Sequence, residues 1–85
     1  MIEATDLSLY TYDGCGYSAR VRRVLARLGV SIELRDIDED PQHEADLLTA
    51  RGRRTVPVLR IARSDGPDEW MSESRDIIAY LERRF

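Results

Sequence analysis

The pattern of hydrophobic and polar positions along the chain first predicts a strand and then a helix. The run from Leu7 to Tyr12 is rich in aromatic and β-compatible residues and ends at a turn signal, Asp13-Gly14. Beyond Gly16, apolar side chains fall at the spacing of one helical face, while arginines occupy other positions. The residues of this apolar stripe are Val21, Val24, Leu25 and Leu28. Gly29 follows at the position that typically ends a helix.

A second strand and a second helix follow along the chain. Apolar and polar residues alternate from Ser31 to Arg35, which is typical of a strand with one buried face. Because strand, helix and strand fall within about thirty residues, the first two strands are expected to be parallel. Asp40 then precedes Pro41, a pairing of N-cap acceptor and first helical residue, and this short helix is predicted to end before Gly52.

The last third of the chain predicts a hairpin and a final helix. Val56 to Ala62 and Glu69 to Ser72 are the two strand-like runs, and a cluster of turn-forming residues separates them. Either Ser72 or Ser74 is a credible N-cap for the helix that follows. The resulting order, β-α-β-α-β-β-α, predicts an α/β fold in which helices flank a four-stranded mixed sheet, as one domain over residues 1–85.

Charge and composition exclude several classes of function. The 85 residues carry 13 basic side chains, all of them arginine, and 16 acidic ones, and this balance argues against nucleic acid as the main partner. Apolar runs are too short for a membrane span, and the acidic start lacks the positive charge of a signal peptide. One cysteine and one histidine cannot form a disulfide framework or a four-ligand zinc site. We therefore expect a soluble cytoplasmic protein with the chemistry of a single thiol.

The candidate for that chemistry is Cys15. It lies between the first strand and the first helix, where unpaired N–H groups and the positive end of the helix dipole favour an anion. A thiol in this position loses its proton more readily than a free cysteine, and the thiolate is the nucleophile. Gly14 and Gly16 flank the residue and predict an uncovered sulfur. The alternative is a small buried cysteine without a chemical role.

Three short motifs carry a family resemblance. Cys15-Gly16-Tyr17-Ser18 has the C-x-x-C spacing with serine in place of the second cysteine. Thr55-Val56-Pro57 precedes a predicted strand, and Glu73-Ser74 opens the final helix. In this order, and over nearly the whole chain from Leu7 onward, the motifs resemble those of the glutaredoxins and of the N-terminal domain of glutathione transferases. The resemblance implies the thioredoxin-like fold that both families share.

The resemblance also implies a glutathione site. The residues it assigns to binding are Tyr17, Thr55, Val56, Pro57, Glu73 and Ser74, and Arg54 lies where it could meet the glycine carboxylate of glutathione. It further implies a cis bond between Val56 and Pro57 that faces Cys15. From the residues alone, Pro57 could equally be a trans proline at a strand start, and Glu73-Ser74 could simply cap the helix. Arg54 could equally be an ordinary surface arginine.

The function that the resemblance implies is that of a monothiol glutaredoxin, a thiol-disulfide oxidoreductase with glutathione as co-substrate. Cys15 and Ser18 are the expected catalytic residues: the Cys15 thiolate attacks a protein–glutathione mixed disulfide, and Ser18 has no sulfur with which to resolve the intermediate. Ser18 could donate to the thiolate or satisfy helix backbone. The expected partners are glutathione and glutathionylated or small disulfide substrates, without nucleic acid or membrane, and the expected state is a monomer. Because a transferase would need a second, helical domain, conjugation is not expected from residues 1–85.

One stretch departs from the family pattern and keeps two alternatives open. Thr11-Tyr12-Asp13 stands where glutaredoxins often carry a lysine, and Asp13 would disfavour a nearby anion. The first alternative is a glutathione-assisted [2Fe–2S] carrier, in which Cys15 and one glutathione from each of two subunits supply the four thiolates. The second is a glutathione-binding module without turnover. Apart from a cluster bridged by Cys15, no metal site is expected.

Overall fold

The computed structural model describes all 85 residues. They form one mixed sheet and three helices, joined by turns and loops. The strands are β1 (Ile2–Thr11), β2 (Val30–Asp36), β3 (Val58–Ile61) and β4 (Glu69–Met71), and the helices are α1 (Gly16–Leu28), α2 (Pro41–Arg51) and α3 (Ser74–Arg84). The strand order is β2-β1-β3-β4, with β1 and β2 parallel and the other two pairings antiparallel. The predicted order of elements and the four-stranded mixed sheet are confirmed. No helix combines the length and apolar character that a membrane span requires.

The sheet separates two apolar layers. On one face, α1 and α3 pack on alternate residues of the central strands, and the buried members of this layer include Leu7, Leu9, Val21, Leu25, Leu59, Ile61, Ile77 and Leu81. On the other face, α2 covers a smaller cluster of Tyr10, Ile37, Leu47 and Val58. Each such aliphatic side chain contributes about 1.5–3 kcal/mol relative to leaving it exposed. The central strands β1 and β3 are therefore held from both sides, and the loops at their ends have fixed positions.

The predicted stop of α1 at Gly29 and the predicted start of α2 after Asp40 are confirmed. Gly29 adopts φ 69° after α1 and its N–H donates to the carbonyls of Ala26 and Leu25, a left-handed conformation that costs glycine little. The side chain of Asp40 accepts a hydrogen bond from the N–H of Gln42 and so caps the start of α2.

Several strand ends differ from the predicted boundaries by one residue, and three further differences have a physical cause. β1 begins at Ile2 rather than Leu7, because its first residues pair with β2 before a register shift between Glu3 and Ser8 interrupts the alternation. β3 begins at Val58 rather than Val56, since Pro57 has no N–H to donate to a neighbouring strand. Neither predicted serine caps α3: Glu73 is the N-cap, and its side chain makes no capping hydrogen bond.

Candidate functional site

Cys15 is the N-cap residue of α1, directly after the turn that follows β1. Gly14 makes this turn possible with φ 90°, a conformation that side-chain-bearing residues rarely adopt. The carbonyl of Cys15 accepts the first hydrogen bond of the helix, from the N–H of Ala19 at 3.0 Å. The sulfur therefore lies beside the first turn of α1, where the N–H groups have no helical partner.

The sulfur is more enclosed than its glycine neighbours predict. Cys15 is only 9% exposed, so the prediction of an uncovered sulfur is wrong. The loop before β3 lies against it, and the thiol donates to the main-chain carbonyl of Val56 with Sγ and O 3.9 Å apart. Cys15, at the start of α1, therefore contacts Val56, a residue of the predicted glutathione site in the loop before β3.

The surroundings of the sulfur favour its ionised form. Burial raises the pKa of Cys15, but hydrogen bonds that its thiolate receives outweigh this effect and hold the pKa below that of an ordinary cysteine. The donors are the hydroxyl of Ser18, the main-chain N–H groups of Ser18 and Tyr17, and the hydroxyl of Tyr12. Two of the four are amides of the first turn of α1, which is the helix effect expected from the sequence.

Ser18 has an unusual environment for a polar side chain. It is 0% exposed, and its Oγ makes no hydrogen bond in the structure. An unpartnered buried hydroxyl costs free energy, whereas the thiolate of Cys15 offers this hydroxyl an acceptor. Ser18 is thus better satisfied when Cys15 is ionised than when it is protonated.

A cleft of about 220 Å³ includes Val56, the residue whose carbonyl Cys15 contacts, but neither Cys15 nor Ser18 is among its lining residues. It is lined by Tyr17, Thr55, Val56, Pro57, Ser72, Glu73 and Ser74. The Val56–Pro57 peptide bond is cis, which confirms the bond that the family resemblance implies. Six of the seven residues assigned to glutathione are brought together here, and Ser72 joins them. Their role in binding glutathione stays a prediction.

The start of α3 forms one wall of the cleft. Its N-cap, Glu73, makes no side-chain capping bond, so the first N–H groups of the helix have no side-chain acceptor within the chain. Those groups and the hydroxyl of Ser74 form a wall that suits a carboxylate, because the positive end of the helix dipole lies there. The carboxylate of Glu73 in turn suits an amino group.

Among the residues predicted to bind glutathione, Arg54 is the one that the structure does not bring to the cleft. Its guanidinium donates to Glu44, with Nε and Oε2 2.5 Å apart, and also to Asp38. These two carboxylates hold the side chain beside α2 rather than along the wall of the cleft. A contact with the glycine carboxylate of glutathione would require Arg54 to leave both partners.

Asp13 also differs from what its sequence position predicts. Its side chain is 86% exposed and lies 3.9 Å from Nη1 of Arg22. Water and this arginine screen its charge, which weakens the expected opposition to an anion at Cys15. Asp13, Asp36 and Glu39 bring carboxylate oxygens within 4.8 Å of one another. Because Asp36 pairs with Thr11 at the end of β1, this acidic cluster lies at the same end of the sheet as the loop that carries Cys15.

Sequence reasoning missed two residues of the site, Tyr12 and Ser72. The hydroxyl of Tyr12 donates to the thiolate of Cys15 from the stretch where glutaredoxins often carry a lysine. The missing lysine was the sequence signal that could have pointed to Tyr12, because a thiolate is stabilised by a neighbouring donor and another residue of this stretch could supply it. Ser72 lines the cleft one residue before the Glu73-Ser74 motif, and no sequence signal distinguishes it from a turn residue.

Comparisons with known proteins agree with this geometry. A family model described as the N-terminal domain of glutathione S-transferase matches residues 9–85. The stringent starvation protein A homolog of Coxiella burnetii is 34% identical over 85 residues, which are 100% of this chain and 38% of that protein.

Two solved structures show the same fold. A trimeric glutathione transferase from Leishmania superposes with a TM-score of 0.73 at 30% identity, over 92% of this chain and 17% of that one. Glutaredoxin 2 from Salmonella typhimurium, in complex with glutathione, gives a TM-score of 0.72 at 26% identity, over 93% of this chain and 34% of that one. The thioredoxin-like fold is confirmed, and the chain spans less than half the length of each of these relatives.

Proposed function

The chain belongs to the family of glutathione S-transferase N-terminal domains, and from that membership we propose that it is a glutathione-dependent thiol-disulfide oxidoreductase of the monothiol glutaredoxin type. The observation that supports this proposal is the environment of Cys15, the only sulfur nucleophile in the chain. A pKa held below the ordinary value increases the fraction of Cys15 that is thiolate at any given pH, and the adjacent cleft offers room for a ligand. We place this activity in the cytoplasm, where glutathione is abundant.

Glutathione would lie along the cleft with its cysteinyl sulfur toward Cys15. The main chain of Val56 would exchange hydrogen bonds with the cysteinyl residue, as in an added strand. The γ-glutamyl carboxylate would accept from the first N–H groups of α3 and from the Ser74 hydroxyl, and its amino group would pair with Glu73. Tyr17, which is 62% exposed, would cover the outer side of the ligand.

The reaction needs one protein sulfur and consumes one free glutathione for each mixed disulfide. The Cys15 thiolate attacks the glutathionyl sulfur of a mixed disulfide, forms a new S–S bond to glutathione and releases the substrate as a thiolate, which takes up a proton. A second glutathione thiolate then attacks the glutathionyl sulfur on Cys15. This step regenerates the Cys15 thiolate and releases glutathione disulfide, in which one sulfur comes from the substrate's glutathionyl group and the other from the free glutathione.

Ser18 and Tyr12 would act by stabilising the thiolate as attacking and leaving group. Their hydroxyls donate to the sulfur when it carries charge, which is the state before attack and after resolution. A lower thiol pKa makes Cys15 a better leaving group in the second step. The absence of a second cysteine at position 18 leaves resolution to free glutathione.

The test is glutathione-dependent reduction of the mixed disulfide between glutathione and 2-mercaptoethanol. The wild type is expected to accelerate it, the Cys15→Ser variant to show only the uncatalysed rate, and Ser64→Ala, in an exposed turn far from the cleft, to match the wild type. Equal rates for the wild type and Cys15→Ser would contradict the proposal and leave a glutathione-binding module. A visible chromophore after anaerobic reconstitution with iron and sulfide would instead indicate a cluster carrier.

A further inference from the structure

The two edges of the sheet are protected very differently. β4 forms one edge with only three residues, Glu69–Met71, and a short edge strand gives little template for pairing. β2 forms the other edge with seven residues, Val30–Asp36. It contains no proline or lysine, and no element pairs with its outer side. The outer N–H and C=O groups of β2 are therefore available to another strand.

An apolar surface accompanies this open edge. Leu34, near the middle of β2, is 49% exposed. It borders a groove of about 280 Å³ between α1 and β2, whose apolar lining is Met1, Leu25, Ala26, Val30, Ile32 and Leu34. An exposed apolar side chain on an unpaired edge strand is a recognised signal for pairing between strands of different molecules.

Two of the three charged side chains of β2, Glu33 and Arg35, lie on the face of the strand opposite Leu34, whereas Asp36 ends the strand on the same face as Leu34. Glu33 and Arg35 form an ion pair with Oε2 and Nε 2.5 Å apart, and Nη1 of Arg35 donates to the hydroxyl of Tyr10 at 2.7 Å. Nη2 of Arg35 has no hydrogen-bond partner within the chain. Because side chains alternate along a strand, β2 presents an apolar face toward α1 and a charged face toward Tyr10.

We propose that the β2 strands of two copies of this chain pair antiparallel about a two-fold axis at Leu34, forming a dimer with a continuous eight-stranded sheet. In this register Leu34 meets Leu34 of the second copy, and each Glu33 lies opposite an Arg35. The unused Nη2 of each Arg35 then gains a carboxylate partner from the other copy. The centre of β2 is thus complementary to itself in both shape and charge, while Ile32 lies opposite Asp36 on either side of it.

The neighbouring registers are less favourable. Centring the two-fold at Glu33 places two glutamates opposite one another, and centring it at Arg35 places two arginines opposite one another. Centring it at Ile32 keeps apolar contacts but pairs Glu33 with Ser31. Arg35 then gains no carboxylate from the other copy. Registers centred between residues place an apolar face against a charged one. Only the axis at Leu34 forms two intermolecular ion pairs.

The dimer would be weak and reversible. One strand pair and its flanking side chains bury less than the roughly 1,200 Å² of standard protein interfaces, so the dissociation constant is expected to lie in the range of about 10 μM to 1 mM. A monomer, as the sequence predicts, would then prevail in dilute solution and a dimer in concentrated solution. The proposal does not depend on the chemistry of Cys15, which lies outside this surface.

Sedimentation velocity over a range of concentrations up to about 1 mM tests the proposal. The wild type is expected to dimerise, Glu33→Arg and Arg35→Glu each to weaken association by about tenfold, and the double variant to recover most of it. Asp65→Arg and Arg83→Glu repeat the same charge changes at exposed positions away from β2 and should leave association unchanged. A wild type that stays monomeric throughout, or charge reversals without effect or rescue, would overturn the proposal.

A cross-linking experiment determines the register of the two paired β2 strands, and it remains possible even if Arg35→Glu unfolds the protein. In a Cys15→Ser background, Leu34→Cys places two cysteines opposite each other, at a Cα separation of about 4.5–5.5 Å that a disulfide tolerates. Oxidation is expected to link this variant into a dimer, and Ile32→Cys should link poorly because it lies opposite Asp36. Equal or reversed linking of the two variants would contradict the axis at Leu34.

Discussion

The thiol of Cys15 donates to the main-chain carbonyl of Val56, and the two residues lie 41 positions apart in the sequence. The contact joins the start of α1 to the loop before β3. When the thiol loses its proton, this carbonyl loses its donor and faces a negative charge instead. A bound peptide N–H would satisfy it, and the cysteinyl N–H of glutathione is the donor that the proposed function supplies.

The Ser18→Ala substitution should separate reactivity from stability. Without the hydroxyl, the pKa of Cys15 is expected to rise, and alkylation by iodoacetamide at pH 7 should slow by about tenfold, the effect of losing one hydrogen bond to a charged group. Because the hydroxyl is buried and makes no hydrogen bond in the structure, the free energy of unfolding should stay equal or rise by up to about 1 kcal/mol. Alkylation kinetics and urea denaturation measure the two effects.

Thr11→Val is the matched control for that experiment. The Thr11 hydroxyl is also buried without a hydrogen-bond partner, and it is not among the donors to the Cys15 thiolate. Its removal should stabilise the fold similarly and leave the alkylation rate unchanged. If both variants slowed alkylation equally, a general packing effect rather than a hydrogen bond from Ser18 would explain the result.

Tyr12→Phe tests a hydroxyl in the stretch Thr11-Tyr12-Asp13, where glutaredoxins often carry a lysine. Loss of its hydroxyl removes the weakest of the donors to the thiolate, so the pKa of Cys15 should rise by less than in Ser18→Ala. Alkylation at pH 7 should slow by about threefold. Tyr80→Phe removes a hydroxyl that accepts from Arg84, away from the sulfur, and serves as the comparison. An unchanged rate in Tyr12→Phe would remove Tyr12 from the site.

Glutathione affinity tests the wall formed by α3. In a Cys15→Ser background, which prevents chemistry, Glu73→Gln and Ser74→Ala should each raise the dissociation constant of glutathione about five- to tenfold, since each removes one polar contact to a charged ligand group. Isothermal titration calorimetry gives the constants. Ser64→Ala should leave them unchanged, and wild-type affinity in both α3 variants would place the γ-glutamyl group elsewhere.

The ion pair between Asp6 and Arg84 predicts a pH-dependent contribution to stability. Arg84 donates to both carboxylate oxygens at 2.9 Å, and this hydrogen bonding lowers the pKa of Asp6. A carboxyl with a lowered folded-state pKa stabilises the fold above its unfolded pKa and loses that effect as pH falls through the folded value. Asp6→Asn should cost at most about 1 kcal/mol near pH 7, because both side chains are about one-third exposed.

Urea denaturation from pH 7 down to pH 2 checks this expectation. The difference between the wild type and Asp6→Asn should shrink toward zero below the ordinary carboxyl pKa of 3.8. A difference that persists at the acid end would mean that the substitution disturbs packing rather than charge.

Local signals in the sequence were sufficient for the helices and for the order of elements. Gly29 and Asp40 act through their own backbone and side-chain geometry, so their neighbours in sequence determine what they do. The start of β1 could not be predicted, because its first residues belong to the strand only through their pairing with β2. The register shift in this pairing leaves no regular alternation of apolar and polar residues within β1 itself.

In the candidate site too, some residues could be placed from the sequence and others could not. The motif residues from Thr55 to Pro57 and the pair Glu73-Ser74 could be placed together because the family's order of elements fixes which loops meet. Arg54 could not be placed, since its direction depends on Asp38 and Glu44, which lie 16 and 10 positions away. The enclosure of Cys15 likewise results from a loop distant in sequence, whereas glycine neighbours describe only local freedom.

The pH dependence of Cys15 alkylation tests the central claim most directly. Iodoacetamide reacts with the thiolate, so the rate rises through the pKa of the cysteine, and the wild type contains no other thiol. We predict a midpoint clearly below the value of about 8.5 for a free cysteine, and a midpoint that shifts upward in Ser18→Ala. A midpoint at or above that value would contradict a thiolate stabilised at the start of α1.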